Sequence, residues 1–575
     1  MDEPRAVALD LARYPFSRYG SYFSFSMTED DQAELGGGLY LHTHHGGSAR
    51  LFRIDPARNG ESVAYKINAS TTELVLCADG GEIRIVIDCG GSVRVRGEGG
   101  MGLRLEMPPA RWRFAYQLSP DAWGFNLPKS GVQLALDLIH GQLAMHAPWE
   151  KGEGFCYVTT KMIALLSPAD DGKFEAAIDE FSTTWIPPER SPFDESSQEV
   201  RQSYREWVDA LPQVHTSRDA VRERAAYVNW SAVVRPAGHL TRMTMLMSKM
   251  SMCNVYSWDH AFNAMAHWAH QPDLAWDQFM VFAEKTDQHG KMPDNMNDQN
   301  IMYTFAKPPI HGWALRWMWN ERPSHFTRKR QAEAYAQLSR WTRWWTVHRT
   351  WEGDTLPHYI HGFDSGWDNS TIFDAGTPLV SPDLAAYLSV QQDVLGDLAT
   401  ALGRDEEAAE WKAHSNRTLA ALIDELWDVD RFVGRLRPSG TTVRCESLIN
   451  CMPVVLGSRL PQEVQTSLVS RIREHVTQWG LATEKPGSSQ YTVRGYWRGP
   501  IWAPVTLLAV SGLAELGEDD LVETIAAGFT GMCERSGFAE NFDALTGEGH
   551  FDPAYTWTSS VYLILASRYA SRRRD

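Results

Sequence analysis

The chain has 575 residues, 72 acidic against 55 basic, for a formal net charge of −17. That balance argues against a nucleic-acid partner or an anionic membrane surface, since either needs concentrated Lys and Arg. The length implies two or three domains. The basic run Arg572 to Arg574 reads as a solvated tail end.

The opening residues MDEPRAVALDLARYPF lack a basic segment followed by an apolar one, and no window approaches a membrane span. The expectation is a cytoplasmic protein. Seven cysteines (Cys77, Cys89, Cys156, Cys253, Cys445, Cys451 and Cys533) are scattered without a CxxC, which reads as structural thiols and no Cys-based metal site. The 23 Trp, most of them after residue 205, exceed what a core requires. Some are expected to line a binding site where sugar C–H faces stack on rings.

From Leu39 to about Ile186 the chain alternates apolar and polar residues in short runs, cleanest in Glu82 to Asp88, Ser92 to Arg96 and Gly102 to Met107. Gly131 to Ala147 and Gly154 to Ser167 read as further strands. Period-two alternation in succession predicts an N-terminal antiparallel β-sandwich over residues 1–190, with a packing or accessory role. A Pro-rich linker, Trp185 to Val200, follows.

Beyond it the apolar spacing turns helical. Helices are expected from Ser197 onward, over Asp219 to Val234, and over about ten further segments that include Leu274 to Gly290 and Arg328 to Arg349. A dozen helices joined by loops rich in Gly, Pro and aromatics predict an (α/α)6 toroid over residues 191–575, so that the chain is mainly α. Alternate loops of such a ring face the same end. Motifs recur at that interval: YSWDH near 258, DQHGKMPDN near 290, KPPIHGW near 310, DSGWDNS near 367, YWRGPIW near 498 and AENFD near 541.

Cleaving a glycosidic bond requires two carboxyl groups, one protonated and one ionised, on opposite faces of the anomeric carbon. Asp368 in GWDNST is the candidate acid, with Trp367 beside it to desolvate the carboxyl group and Asn369 to hydrogen-bond nearby. The bland alternative is a helix cap. Glu540 in GFAENFDALTGEG is the candidate partner, with Asp543 and Glu548 competing in the same loop. Asp259 either caps a helix or accepts hydrogen bonds from sugar hydroxyls. Asp364 shares the loop of Asp368, too close to bracket the other face of a sugar, and reads as a substrate-contacting or positioning group. Arg498 either holds a carboxylate or hydroxyl, or stacks on Trp497. No HxH or HExxH pair accompanies the histidines, so no catalytic metal and no cofactor are expected; a structural Ca²⁺ stays open.

Taken together, SGWDNS, YSWDHAF, DQHGKMPD, PPIHGWA, GYWRGPIW and AENFD resemble glycoside hydrolase family 63, the processing α-glucosidase I type, which includes bacterial α-glucosidases and mannosylglycerate or glucosylglycerate hydrolases. Family 37 trehalases share the SGWD element. The resemblance covers about Ser197 to Arg573. It implies an inverting enzyme with Asp368 as general acid and Glu540 as general base, and a small carbohydrate as the partner molecule. It also implies a sugar subsite lined by Tyr256, Trp258, Asp259, Phe363, Gly366, Tyr496 and Trp497, with Trp313 and Trp502 as neighbours. The chain departs from the family pattern at Lys307, where Gln is common, and at Phe363–Asp364, where Trp and Glu are common. An α-glucosidase is the leading expectation and a glycerate-glycoside hydrolase the second. A rhamnosidase-like hydrolase, an epimerase and a silent carbohydrate-binding protein are the remaining alternatives.

Overall fold

A computed structural model describes residues 7–151, 157–159 and 161–570. The expected strand start at Gly154, Cys156 and the basic run Arg572 to Arg574 lie outside the described residues.

Among the described residues, the N-terminal region holds two antiparallel sheets of eight strands each and a two-stranded pair, Glu150–Lys151 with Tyr157–Val158. In one, Phe23–Thr28, Gly38–Thr43, Ala49–Arg58, Gly102–Met107, Met162–Ser167 and Gln142–His146 lie side by side in that order. In the other, Phe114–Ser119, Ala122–Leu127, Val132–His140, Phe174–Phe181, Val93–Glu98, Gly81–Ile87, Leu74–Ala78 and Lys66–Ala69 do so. Alternate residues such as Leu103 and Leu105 on the first sheet, and Ile83 and Ile85 on the second, are buried, as the pleat requires when one face meets a core. An edge-on contact between Phe52 and Phe125, 5.0 Å between ring centres, joins the two sheets. The strands begin before Leu39, with Phe16–Ser17 and Phe23–Thr28. The second of these, FSFSMT, alternates aromatic residues with Ser over too short a run to stand out from a loop.

The last strand of this region ends at Phe181 and helices begin at Phe193. Twelve α-helices follow among the described residues: α1 (Phe193–Asp209), α2 (Asp219–Ala232), α3 (Asp259–His267), α4 (Pro272–Met280), α5 (His311–Glu321), α6 (Arg328–His348), α7 (Pro382–Leu402), α8 (Asp405–Leu426), α9 (Gln462–Glu474), α10 (Ala503–Glu515), α11 (Asp519–Ser536) and α12 (Thr556–Arg568). Pro382 opens α7, and Gly403, at φ 76°, closes it, a pairing that suits the missing N–H of Pro and the left-handed freedom of Gly. The helix expected over Leu274 to Gly290 stops at Met280, and a short 3₁₀ turn follows at Ala283–Lys285. Neighbours in sequence pack as pairs, among them α3 on α4, α7 on α8 and α10 on α11, while α12 returns to pack on α2 and α3.

The two regions are joined by buried polar contacts. Lys249 donates from Nζ to Ser17 Oγ at 3.0 Å and to the Ser21 carbonyl at 2.6 Å, and the Tyr227 hydroxyl donates to the Pro15 carbonyl at 2.8 Å.

Candidate active site

The loop carrying Asp368 is shaped by glycines and by one ion pair. His361 opens a 3₁₀ turn, Gly362–Ser365, accepting from Phe363 N at Nδ1. A Cβ at Gly362 would sit 2.0 Å from the Asp368 carbonyl oxygen. Gly366 has φ 71°, and its Cβ position is 2.7 Å from the Trp258 indole. No larger residue fits either position without moving the acid or the ring beneath it.

Asp364 is fully buried and its oxygens are taken by protein groups: Ala306 N donates to Oδ1 at 2.8 Å, and Arg349 Nη1 and Ile360 N donate to Oδ2 at 2.9 and 3.0 Å. These three donors and its full burial fit the positioning alternative.

Asp368 is not a cap: the next short helix, Thr371–Phe373, starts after Ser370. Its Oδ1 is buried with no hydrogen-bond partner in the protein. Burial pushes the carboxyl group up to about 6, opposed by the nearby Lys307 charge.

Glu540 follows α11 and precedes the strand Asn541–Phe542, which pairs with Gly549–His550. Its own N–H is held by the Asp552 carbonyl at 2.8 Å. The Tyr496 hydroxyl donates to Glu540 Oε1 at 3.1 Å. Burial pushes this carboxyl group up to about 7; the Tyr496 hydrogen bond opposes the rise, and the charges of Asp552 and Asp368 add to it. The two candidate catalytic carboxyls therefore sense each other. The competing acids are elsewhere engaged: Asp543 Oδ1 accepts from Leu545 N at 2.8 Å within a turn, and Glu548 is exposed beside Arg494.

Asp259 is the first residue of α3 and makes no capping bond. It is fully buried, and burial raises its carboxyl group well above the ordinary range, with Lys307 opposing and Asp294 and Glu540 adding. Oδ1 is 3.4 Å from the Tyr555 hydroxyl, and Oδ2 has no partner in the protein. Lys307 bridges the cluster, 3.2 Å from Asp294 Oδ1 and donating to the Phe363 carbonyl at 3.0 Å. Its ammonium also lies 5.8 Å from the centre of the Tyr256 ring.

Four tryptophans from the same loops pack on one another. Trp497 and Trp502 are parallel at 4.0 Å, Trp367 lies 5.0 Å from Trp497, and Trp258 meets Trp497 at 6.2 Å. All four are buried. They form one buried aromatic cluster, while Phe363, 39% exposed, and half-buried Tyr256 and Tyr496 offer accessible ring surface. Tyr496 is at φ 62°, an uncommon conformation for a bulky residue.

Trp313 and Arg498 have partners of their own. Trp313 packs on Phe262 and borders a cavity of about 320 Å³ with Arg316, Trp317 and Arg568. Trp313 is the third residue of α5, and Phe262 in turn meets Trp258 edge-on at 6.1 Å, so Trp313 backs the aromatic cluster from behind Phe262. Arg498 neither faces the cluster as a free cation nor stacks on Trp497. It pairs with Asp374, and its Nε donates to the Asn369 carbonyl at 2.7 Å.

Asn369 carries more than its place beside the acid suggests. Its Nδ2 donates to the Gly495 carbonyl at 3.0 Å, and its Oδ1 accepts from Trp497 N at 3.0 Å. It thereby ties the acid's loop to the loop that presents Tyr496 to Glu540. Among the described residues no group of three or more His, Cys, Asp or Glu could hold a metal ion, and no helix is long and apolar enough to cross a membrane.

Residues 252–558, more than half of the chain, match the family described as mannosylglycerate hydrolase MGH1-like glycoside hydrolase domains. The chain belongs to this glycoside hydrolase family. Within family 63, it is 23% identical to a mannosylglycerate hydrolase of Rubrobacter radiotolerans over 54% of this chain and 89% of the relative. The rabbit (Oryctolagus cuniculus) trehalase is 25% identical over 37% of this chain and 41% of the relative. Among solved structures, the family 63 mannosylglycerate hydrolase from Thermus thermophilus in complex with glucose superposes with a TM-score of 0.52 at 20% identity, covering 60% of this hydrolase and 99% of that one. A bacterial glucoamylase complexed with acarbose superposes with a TM-score of 0.58 at 10% identity over 99% of this chain and 96% of that one, a likeness of fold alone that takes in the sheet region.

Proposed function

We propose that this glycoside hydrolase is an exo-acting, inverting α-glycosidase with Asp368 as general acid and Glu540 as general base, built at one end of a helical ring, an (α/α)6 toroid. The return of α12 onto α2 and α3 supports the closed ring. The observation that carries the chemistry is the asymmetry in hydrogen bonding between two buried, mutually sensing carboxyls. Both are raised, to about 6 for Asp368 and about 7 for Glu540, so the pair shares roughly one proton midway between those values, and in the free enzyme that proton sits mainly on Glu540. The Tyr496 hydroxyl donates to Glu540 and favours its ionised form, while Asp368 Oδ1 accepts from no protein group; acid catalysis by Asp368 therefore requires the shared proton to pass to it once substrate and water fill the site. Asp368 then protonates the leaving oxygen, and Glu540 takes a proton from water on the opposite face.

An α-glucoside with a neutral leaving group is the substrate we infer, because the two cations best placed to hold an acid group are already paired, Arg498 with Asp374 and Lys307 with Asp294. The second reading, an α-glycoside of glycerate, is favoured by the mannosylglycerate hydrolases among the relatives. Asp368→Asn and Glu540→Gln test the catalytic assignment: each is expected to lose at least about 10³-fold in kcat, and near-wild-type turnover by either would overturn it. Initial rates on α-glucosides, α-mannosides and the two glycerate glycosides separate the substrate readings.

A further inference from the structure

The hairpin Asn295–Met302 spans the distance between the acidic cluster and the sheet region. At its base, Asn295 pairs with Tyr256 across the strands, and Asn295 Nδ2 donates to Asp294 Oδ2 at 2.9 Å. Asp294 in turn holds Lys307, which holds the Phe363 carbonyl in the loop of Asp368. At its tip, Asn297 folds the turn by accepting from Gln299 N and Asn300 N, both at 2.9 Å, and donates to Asn254 Oδ1 at 2.9 Å.

The tip is gripped from the sheet region. His45 Nδ1 lies 2.8 Å from Asp298 Oδ2, and its Nε2 lies 3.4 Å from Glu180 Oε2. Gly46 N donates to Asp298 Oδ1 at 2.8 Å, and Gln299 Nε2 donates to the Ser130 carbonyl. Tyr22 stacks on the imidazole at 3.7 Å, and Arg235 pairs with the same Glu180 oxygen at 2.6 Å. Burial pushes His45 down, but the hydrogen bonds to Asp298 and Glu180 outweigh it and hold the imidazole at about 9, so it is a cation at neutral pH. A buried cation between two buried carboxylates is a rigid tether, because losing any member strands a charge. His45 and Glu180 precede the family-matched stretch that starts at 252, while Asp298 lies within it, so the tether joins the part of the chain outside that stretch to the part inside it.

We propose that His45 is a positioning residue for hydrolysis: lodged between Glu180 and Asp298, it fixes the hairpin whose base aligns Asp294 and Lys307 against the loop of the acid. The sheet region thus tunes proton delivery to the leaving group without touching the substrate. This rests on Asp368 being the general acid, and the test separates the two.

The full-length enzyme and its His45→Gln, His45→Lys and Asp298→Asn variants are assayed on a phenyl α-glycoside, whose leaving group needs the acid, and on the α-glycosyl fluoride, which needs it far less. The sugar is glucose or mannose, whichever the wild type turns over. His45→Gln is expected to lose about tenfold in kcat on the phenyl glycoside and less than about threefold on the fluoride, with KM little changed. His45→Lys, which keeps a cation between the carboxylates, restores most of the loss. If His45→Gln fails to fold, Asp298→Asn carries the same expectation. Equal losses on both substrates, or no loss on either, overturn the proposal. If Asp368→Asn shows the leaving-group-selective defect and the His45 and Asp298 variants do not, only the positioning role fails; if Asp368→Asn hydrolyses the phenyl glycoside normally, the catalytic reading fails.

Discussion

The Tyr496 hydroxyl donates to Glu540 Oε1 at 3.1 Å across 44 residues of sequence, from a backbone position at φ 62°. The Tyr496 carbonyl accepts from Trp502 Nε1 at 3.0 Å, which helps to hold this uncommon backbone conformation.

Tyr496→Phe removes the donor and keeps the ring. The hydrogen bond lowers the Glu540 carboxyl group, so its loss raises it further. A general base works ionised, so the acidic limb of the kcat/KM profile is expected to move to higher pH by about one unit, with kcat down roughly 10–100-fold. A pH–rate profile of the variant measures both.

Glu540→Gln is expected to stabilise the protein at neutral and alkaline pH. The folded carboxyl group, at about 7, binds its proton more tightly than the unfolded one, at 4.5. Ionisation therefore costs stability: the penalty is absent below about pH 4.5, grows as pH rises, and is complete above about pH 7. Removing it gains about 1–3 kcal/mol. Thermal unfolding at pH 8 should show a higher Tm for the variant and at pH 4.5 little difference.

Asp364→Asn, by contrast, is expected to destabilise by about 3–5 kcal/mol, because it leaves the Arg349 guanidinium buried without its counter-ion. Denaturant unfolding measures the loss. At temperatures where the variant is folded, KM is expected to hold if Asp364 acts only by positioning the loop.

Asn369→Ala cuts both links between the acid's loop and the Gly495 to Arg498 loop. The two bonds, to the Gly495 carbonyl and from Trp497 N, are each worth about 1 kcal/mol, while misalignment of Asp368 with the Tyr496–Glu540 pair is expected to cost about tenfold in kcat. Steady-state kinetics together with an unfolding curve distinguish the two effects.

Local pattern makes much of this legible in the sequence. Strand alternation marks Gly81–Ile87 and Gly102–Met107, and helix spacing marks α6 through α8. Asp368 and Glu540 stand out because each sits where glycines and aromatics crowd a carboxyl group at the end of a regular element. Illegible are the long-range partners. Asp364 looks free until folding brings Ala306 and Arg349 to it, and Arg498 looks free until Asp374 takes it. Taken one at a time the tryptophans read as sugar-stacking faces, whereas Trp258, Trp367, Trp497 and Trp502 spend their faces largely on one another. The hairpin tip at Asp298 carries no local sign that a histidine 253 positions earlier completes it.

The account stands on two carboxyls working from opposite faces of the sugar, which delivers water opposite the departing group in a single displacement. Proton NMR recorded in the first minutes of hydrolysis of the best α-glycoside, before mutarotation, reads the anomer released. The β-anomer is predicted; the α-anomer as first product would contradict the assignment of Glu540 as a base acting on water.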